Sequence, residues 1–456
     1  MTLTSINPAT GRIISRRPAQ DEASWRAVVE RADMAFRHWR RLDVSERAEG
    51  LLRLAGVLRN RLPELAGLAC EEMGKPIKQA RAEVEKCAEF LDLTAEKGPA
   101  ALADRPVPEA RGESFVTCEP LGVILAVMPW NFPFWQVFRF AAPALLAGNA
   151  VVLKHASNVT GCALAMAETA MEAGLPEGLF GIVLLPGESA LDVLSHEAVQ
   201  GAALTGSAAA GSRLAETAGR NIKKTVLELG GSDPLVVLED ADLDACAASA
   251  AAYRLRNAGQ TCLAPKRMIV AEPVSRSFEE RLARAFAGFR VGDPRDESTD
   301  VGPLAREDLR ERVQSQVEES VRMGARLAAG GESVPGPGYF FEPTILADVR
   351  PGMPAWDEEV FGPVAVLHEA SSEEEALRLA NATPFGLAGS VWTRDVARGL
   401  RLGRAIEAGS VTVNGPSGSD FHLPFGGIKR SGYGREMAEA GVREFVNQKS
   451  IRVFDG

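Results

Sequence analysis

Over residues 21–96 apolar side chains recur at three- and four-residue intervals, as in Leu51, Leu52, Leu54, Ala55 and Leu58, with charges between them. That spacing lays one apolar stripe along each helix and predicts an amphipathic helical region. Pro63 suits the first turn of a further helix, and Gly74-Lys75-Pro76 predicts a break before the pattern resumes over 80–96. Residues 98–120 are richer in Pro and Gly and contain the strand-like run 114–118. They read either as a strand pair or as an excursion from the domain.

After Pro120 the pattern changes. Short apolar runs at 122–128, 150–153, 181–185, 202–205 and 225–229 alternate with helical stretches, two of which, 162–173 and 208–218, end at Gly174 and Gly219. A second series follows at 234–238, 267–270, 364–368, 389–392 and 411–414. Strands joined by helices imply parallel sheets with crossover connections, so two α/β units are expected. The Gly/Pro-rich tract 330–338 reads as a surface turn, and there is no internal repeat.

Composition narrows the class. A chain of 456 residues holds two or three domains at roughly 150 residues each, and 46% hydrophobic with 25% charged residues is ordinary for a globular protein. The net charge of −10 disfavours nucleic acid and anionic membrane surfaces as partners. Six scattered cysteines without a C-x-x-C pair suggest neither a disulfide framework nor a thiolate metal site, and five dispersed histidines without H-E-x-x-H lower the expectation of a metal further. The N-terminal residues are polar turn formers, and the longest apolar stretches, 121–128 and 141–152, fall short of the roughly 20 residues that span a bilayer. A cytoplasmic protein with reduced thiols is expected.

Several residues could carry chemistry. The run 202–205 leads into Gly206-Ser207 and then a helix, a layout that offers helix N-terminal amides to a phosphate, although a plain tight turn gives the same pattern. Cys262 follows the small-residue turn Gly259-Gln260-Thr261 and could be a nucleophile or a buried small apolar group. A nucleophile needs an oxyanion donor and a base. Asn131, in Trp130-Asn131-Phe132-Pro133, could be the donor or a turn former. Glu228, in Leu227-Glu228-Leu229-Gly230-Gly231, ends an apolar strand, where burial would raise its pKa toward that of a useful base; a rim carboxylate is the alternative.

These pieces, with Lys154 at a strand end, Glu359-Val360-Phe361-Gly362-Pro363 and Pro424-Phe425-Gly426-Gly427, occur in the order seen in the aldehyde dehydrogenase superfamily, which the chain resembles over nearly its whole length. The resemblance implies an α/β fold with a Rossmann-like cofactor domain (1–101 and 121–229), an α/β catalytic domain (230–430) and a small β oligomerisation element (102–120 and 446–456). It further implies a homodimer or homotetramer. Cys262 would attack an aldehyde, Asn131 and the Cys262 backbone N–H would hold the oxyanion, hydride would pass to a nicotinamide, and Glu228 would activate the water that cleaves the thioester. Lys154 joins this catalytic set and is also similar to a cofactor ribose ligand, as is Glu359. Trp130, Gly206, Ser207, Leu229 and Phe361 would line the cofactor cleft.

Cofactor and substrate follow from single positions within the resemblance. Strictly NAD-dependent members often carry a glutamate three residues after the lysine; here Ser157 leaves room for a 2′-phosphate beside Lys154, so NADP is favoured with NAD as the alternative. Arg139, Arg256 and Ser419 resemble the carboxylate contacts of the bacterial succinate-semialdehyde dehydrogenases, which points to succinate semialdehyde as the small-molecule substrate. Asp420, next to Ser419, would oppose that assignment. The competing readings are an oxidation of glutarate semialdehyde or of an aliphatic or aromatic aldehyde, and a catalytically silent protein on the same scaffold.

Overall fold

The structure, a computed structural model, describes residues 1–454. It opens on a hairpin, β1 (Thr2–Asn7) and β2 (Arg12–Pro18), closed by a turn in which the Asn7 carbonyl accepts from the Thr10 and Gly11 N–H groups. Sequence pattern shows only the turn, because β2 is largely exposed and carries no apolar alternation. Four helices follow: α1 (Glu22–Trp39), α2 (Val44–Asn60), α3 (Leu62–Met73) and α4 (Ile77–Leu102). Gly74-Lys75-Pro76 interrupts them as expected, with Gly74 left-handed at φ 76°. The break itself is buried, and Lys75 forms an ion pair with Glu83 of α4.

Strands β3 (Arg105–Pro106) and β4 (Glu113–Pro120) precede β5 (Val123–Met128), α5 (Trp135–Leu146), β6 (Ala150–His155), α6 (Thr160–Glu172), β7 (Phe180–Ile182), α7 (Ala190–Ser195), β8 (Val199–Thr205), α8 (Ala208–Arg220) and β9 (Lys224–Glu228). The chain continues through β10 (Asp233–Val237), α9 (Leu243–Leu255), β11 (Pro265–Ala271), β12 (Arg326–Ala329), β13 (Thr344–Ala347), β14 (Val364–Ala370), β15 (Ala388–Trp392), β16 (Ser410–Val413), β17 (Gly432–Tyr433) and β18 (Val446–Val453). All ten expected strands of the two series are present. Two strands of four residues, β12 and β13, lie outside those series, because so short a run cannot establish a period of two.

Strands β5 to β9 form a parallel sheet extended by antiparallel β17, in the order β17-β9-β8-β5-β6-β7. The chain moves outward from β5 through β6 to β7 and then returns to β8 on the other side. This creates a switch point between β5 and β8, where a crevice opens beyond the carboxyl ends of the strands. A seven-stranded sheet runs β12-β13-β14-β11-β10-β15-β16 and is parallel except for β12. Its central strands are buried on both faces: Leu235, Val237, Met268 and Val270 pack on one, and Val236, Ile269 and Val391 on the other.

The segment 98–120 divides between the end of α4 and two strands. These join β18 in a separate antiparallel sheet, β18-β4-β3, with pairs running from Val446 opposite Pro120 to Val453 opposite Glu113. The last two residues of the expected 446–456 segment lie outside the described residues. Among the described residues, no helix is long and apolar enough to cross a membrane.

Candidate active site

Cys262 stands on a loop whose path is set by three consecutive left-handed residues, Asn257, Ala258 and Gly259, at φ 54°, 54° and 72°. Only glycine fits the third position: a Cβ there would lie 2.0 Å from the Gly362 carbonyl oxygen. Side chains hold the strained turn in place. Asn257 Nδ2 donates to the carbonyls of Asn131 (2.7 Å) and Gln260 (3.3 Å), and the buried Gln260 side chain bridges the Asn257 carbonyl to the Ala305 N–H. On the far side of Cys262, Lys266 Nζ donates to the Thr261 and Cys262 carbonyls (3.1 and 2.8 Å) and pairs with Glu359 (3.2 Å).

Asn131 follows β5 and donates one Nδ2 proton to the Gln260 carbonyl at 3.1 Å. The second amide proton is unused among the described residues, as is the Cys262 backbone N–H, which leaves two donors for an oxyanion. Burial pushes the Cys262 thiol up to about 11 against the pull of Arg139 and Lys266. The unliganded protein therefore holds a neutral thiol at pH 7.

Glu228 ends β9 with 3% exposure, and neither of its carboxylate oxygens has a partner. Burial, reinforced by the neighbouring Glu436, raises its pKa well above the ordinary carboxylate range. It lines neither of the two cavities that meet at Cys262 and packs instead against Gly426.

The first cavity, about 480 Å³, opens at the carboxyl ends of β5, β8 and β9. Trp130, Asn131, Gly206, Ser207, Leu229, Glu359, Phe361 and Cys262 line it. Ser207 caps α8, its Oγ accepting from the Ala210 N–H at 3.3 Å, so the α8 N-terminus faces the cleft. Arg254 of α9 sets the opposite wall by donating to the carbonyls of Val360 (2.9 Å), Gly362 and Val364 (2.6 Å). Lys154 at the end of β6 and Ser157 in the following turn lie outside this cavity's wall. Burial alone lowers Lys154 to about 8, and it has no carboxylate partner among the described residues. A buried cation without an anion suits a phosphate.

The second cavity is smaller, about 130 Å³, and contains Cys262, Arg139, Arg256 and Ser419 together with Lys86, Phe132, Trp135 and Tyr253. Gln136 borders both cavities and leaves its Oε1 without a partner. Arg139, on α5, is buried and ion-paired with buried Glu436; it also lies over the Phe425 ring at 4.5 Å. Arg256 lies over Phe132 at 5.5 Å. Lys86 Nζ donates to Ser419 Oγ at 2.8 Å and sits 4.0 Å from the Trp135 ring centre. Asp420 turns outward and accepts from the His422 N–H at 2.8 Å, so its charge does not enter the cavity.

Five residues of the site escape the sequence reading: Lys86, Arg254, Asn257, Lys266 and Glu436. Lys86 lies in the expected helical segment 80–96, where it reads as one charge among many. The others fit no local motif, and each has at least one partner distant in the chain: Glu359 for Lys266, Asn131 for Asn257, the carbonyls of Val360 and Val364 for Arg254, and Arg139 for Glu436.

A profile described as the aldehyde dehydrogenase family matches residues 1–451. The chain is 48% identical over 451 residues to a probable NADP(+) succinate-semialdehyde dehydrogenase of Synechocystis sp., covering 99% of both chains. It is 44% identical over 447 residues to the NAD(P)+ succinate semialdehyde dehydrogenase Sad of Escherichia coli, covering 98% of this chain and 97% of that one. The crystal structure of succinic semialdehyde dehydrogenase from Streptococcus pyogenes in complex with NADP+ superposes with a TM-score of 0.97 at 36% identity, over 99% of this chain and all of the other.

Proposed function

The chain belongs to the aldehyde dehydrogenase family, and we propose that it oxidises succinate semialdehyde to succinate with NADP as the favoured cofactor and NAD as the alternative. The observation that carries this reading is the position of Cys262, on the wall shared by a cleft at the strand ends and a small cation-lined cavity. An aldehyde carbonyl in the small cavity meets sulfur on one side, with the Asn131 amide and the Cys262 N–H ready for the oxygen. Deprotonation of the thiol, held at about 11 without ligands, is needed first, and Arg139 and Lys266 favour the anion. When bound, the nicotinamide supplies the hydride acceptor.

Lys154, Ser157 and Glu359 would hold the ribose and phosphate groups of the cofactor, and the α8 N-terminus its pyrophosphate. Lys154 suits the 2′-phosphate of NADP because no protein carboxylate neutralises it among the described residues. Glu228 would take a proton from the water that cleaves the acyl–sulfur bond. It must turn toward Cys262 to do so, and entering water relieves the burial that raises its pKa. Arg256 and Ser419 would face the far end of the aldehyde, with Arg139 adding N–H donors.

In this reading residues 1–101 and 121–229 bind the cofactor and 230–430 carry the catalysis. The sheet formed from 102–120 and 446–456 would join subunits into a homodimer or homotetramer. Its outer strand β18 has a free edge among the described residues and exposed Val453 and Phe454 beside it, which supports pairing with a second copy. The free cysteines support a cytoplasmic location. An aldehyde panel with both nicotinamides tests the whole: a marked preference for succinate semialdehyde is expected, and equal specificity constants for acid and neutral aldehydes would remove the substrate assignment.

A further inference from the structure

The cavity beside Cys262 holds three cations, and they are not equivalent. Arg139 is buried against Glu436, so its charge is already balanced, and prising the pair apart would leave a buried carboxylate alone. Arg139 can therefore offer N–H donors but little net charge. Arg256 lines the cavity, lies over Phe132 and has no ion pair among the described residues.

Lys86 is the third. Its ammonium rests against the faces of Trp135 (4.0 Å) and Phe421 (5.7 Å) and donates to Ser419 Oγ at 2.8 Å. The nearby carboxylate Glu83 is committed elsewhere: it pairs with Lys75 and accepts from the Phe134 and Trp135 N–H groups at 2.8 and 3.0 Å. Two of the three ammonium protons remain free among the described residues, and because Ser419 Oγ accepts from Lys86, its own hydroxyl proton is free to donate.

We infer that Lys86 is the specificity-determining cation of this site, its ammonium and the Ser419 hydroxyl together gripping the distal carboxylate of an acid aldehyde, with Arg256 closing the other side. The inference rests on the substrate reading proposed above and adds a residue to it. Burial, aided by repulsion from Arg256 and Arg139, holds Lys86 down at about 8. An arriving carboxylate relieves both effects, so binding and protonation of Lys86 favour each other. The groups that face it are Glu83 and Cys87 on its own helix, Arg139 on α5 and Arg256 after α9.

The test is Lys86→Met, which keeps a stem to pack on Trp135. Specificity constants are measured for succinate semialdehyde and for butanal at saturating NADP, with thermal melting as a check on folding. The expected result is a fall of about 10- to 100-fold in the ratio of the two constants, carried mainly by KM for the acid aldehyde. In the wild type that ratio should also decline as pH rises through about 8 and become flat in the variant. Titration of Cys262 affects both aldehydes and cancels. If Lys86→Met does not fold, Lys86→Gln is read in the same way, and the wild-type pH dependence of the ratio stands alone as a test. A variant that keeps the wild-type ratio, or loses both activities equally, overturns the role of Lys86 while leaving the substrate reading intact. A wild type with no preference for the acid aldehyde overturns both.

Discussion

The cofactor-side cleft and the substrate-side cavity share Cys262 and Gln136, yet they are built from different materials. The cleft is formed by strand ends, a helix N-terminus and the 359–364 segment, which Arg254 pins through three carbonyls. Its shape follows from the parallel sheet. The cavity is formed by side chains from α4, α5, the Cys262 loop and the 417–419 segment, and its character depends on which charges are paired. Backbone-built sites suit a large constant ligand, and side-chain-built sites can be retuned for a variable one.

Substitutions at the shared wall should have the largest effects. Cys262→Ser is expected to lower kcat by about 10⁴-fold with every aldehyde, because a hydroxyl at this position lacks a base within reach to activate it. Cofactor binding, measured by fluorescence titration, should change little. Arg139→Ala should expose the difference between fold and specificity. Removing it leaves Glu436 buried and unpaired, so unfolding free energy should fall by about 3–5 kcal/mol in denaturant titrations, while the preference for the acid aldehyde, which loses only N–H donors, should fall less than in Lys86→Met. A selective loss with succinate semialdehyde and unchanged stability would instead give Arg139 the carboxylate role assigned above to Lys86.

Alkylation by iodoacetamide without cofactor reads the thiol directly. With the thiol at about 11, against an ordinary value near 8.5, the neutral form dominates through pH 9. The rate should be roughly 100-fold below that of a free thiol at pH 7 and rise steadily with pH. A rate matching a free thiol would mean that Cys262 is ionised before ligands arrive.

On the cofactor side, Lys154→Met should raise KM for NADP by about 10- to 100-fold and that for NAD by less. Ser157→Glu should shift preference toward NAD by about 10-fold through repulsion of the 2′-phosphate. Equal changes for both cofactors would break the link between these two residues and the phosphate.

The same contrast explains what could be read in advance. The ten expected strands are dense apolar runs, nearly all of them buried, and the cleft residues lie at carboxyl ends of strands in motifs that resemble a known family. The hairpin β1–β2 and the four-residue strands β12 and β13 were not legible, because exposure or brevity erases alternation. In the small cavity, Arg139 and Ser419 were visible as residues but not in their pairings. Whether an arginine carries free charge depends on Glu436, far along the chain, and whether Asp420 opposes a carboxylate depends on its turn toward His422. Such facts belong to the packed structure, as does the left-handed turn through Asn257 and Ala258: asparagine tolerates that conformation, but alanine gives no sign of it.

The central claim is that Cys262 becomes acylated between the two cavities. Its most direct test is rapid acid quench of the Glu228→Gln variant with succinate semialdehyde and NADP, followed by peptide mass mapping. The account predicts a succinyl adduct on the peptide carrying Cys262, dependent on both compounds. An adduct on another residue, or product formation with no acylation of Cys262, would contradict it.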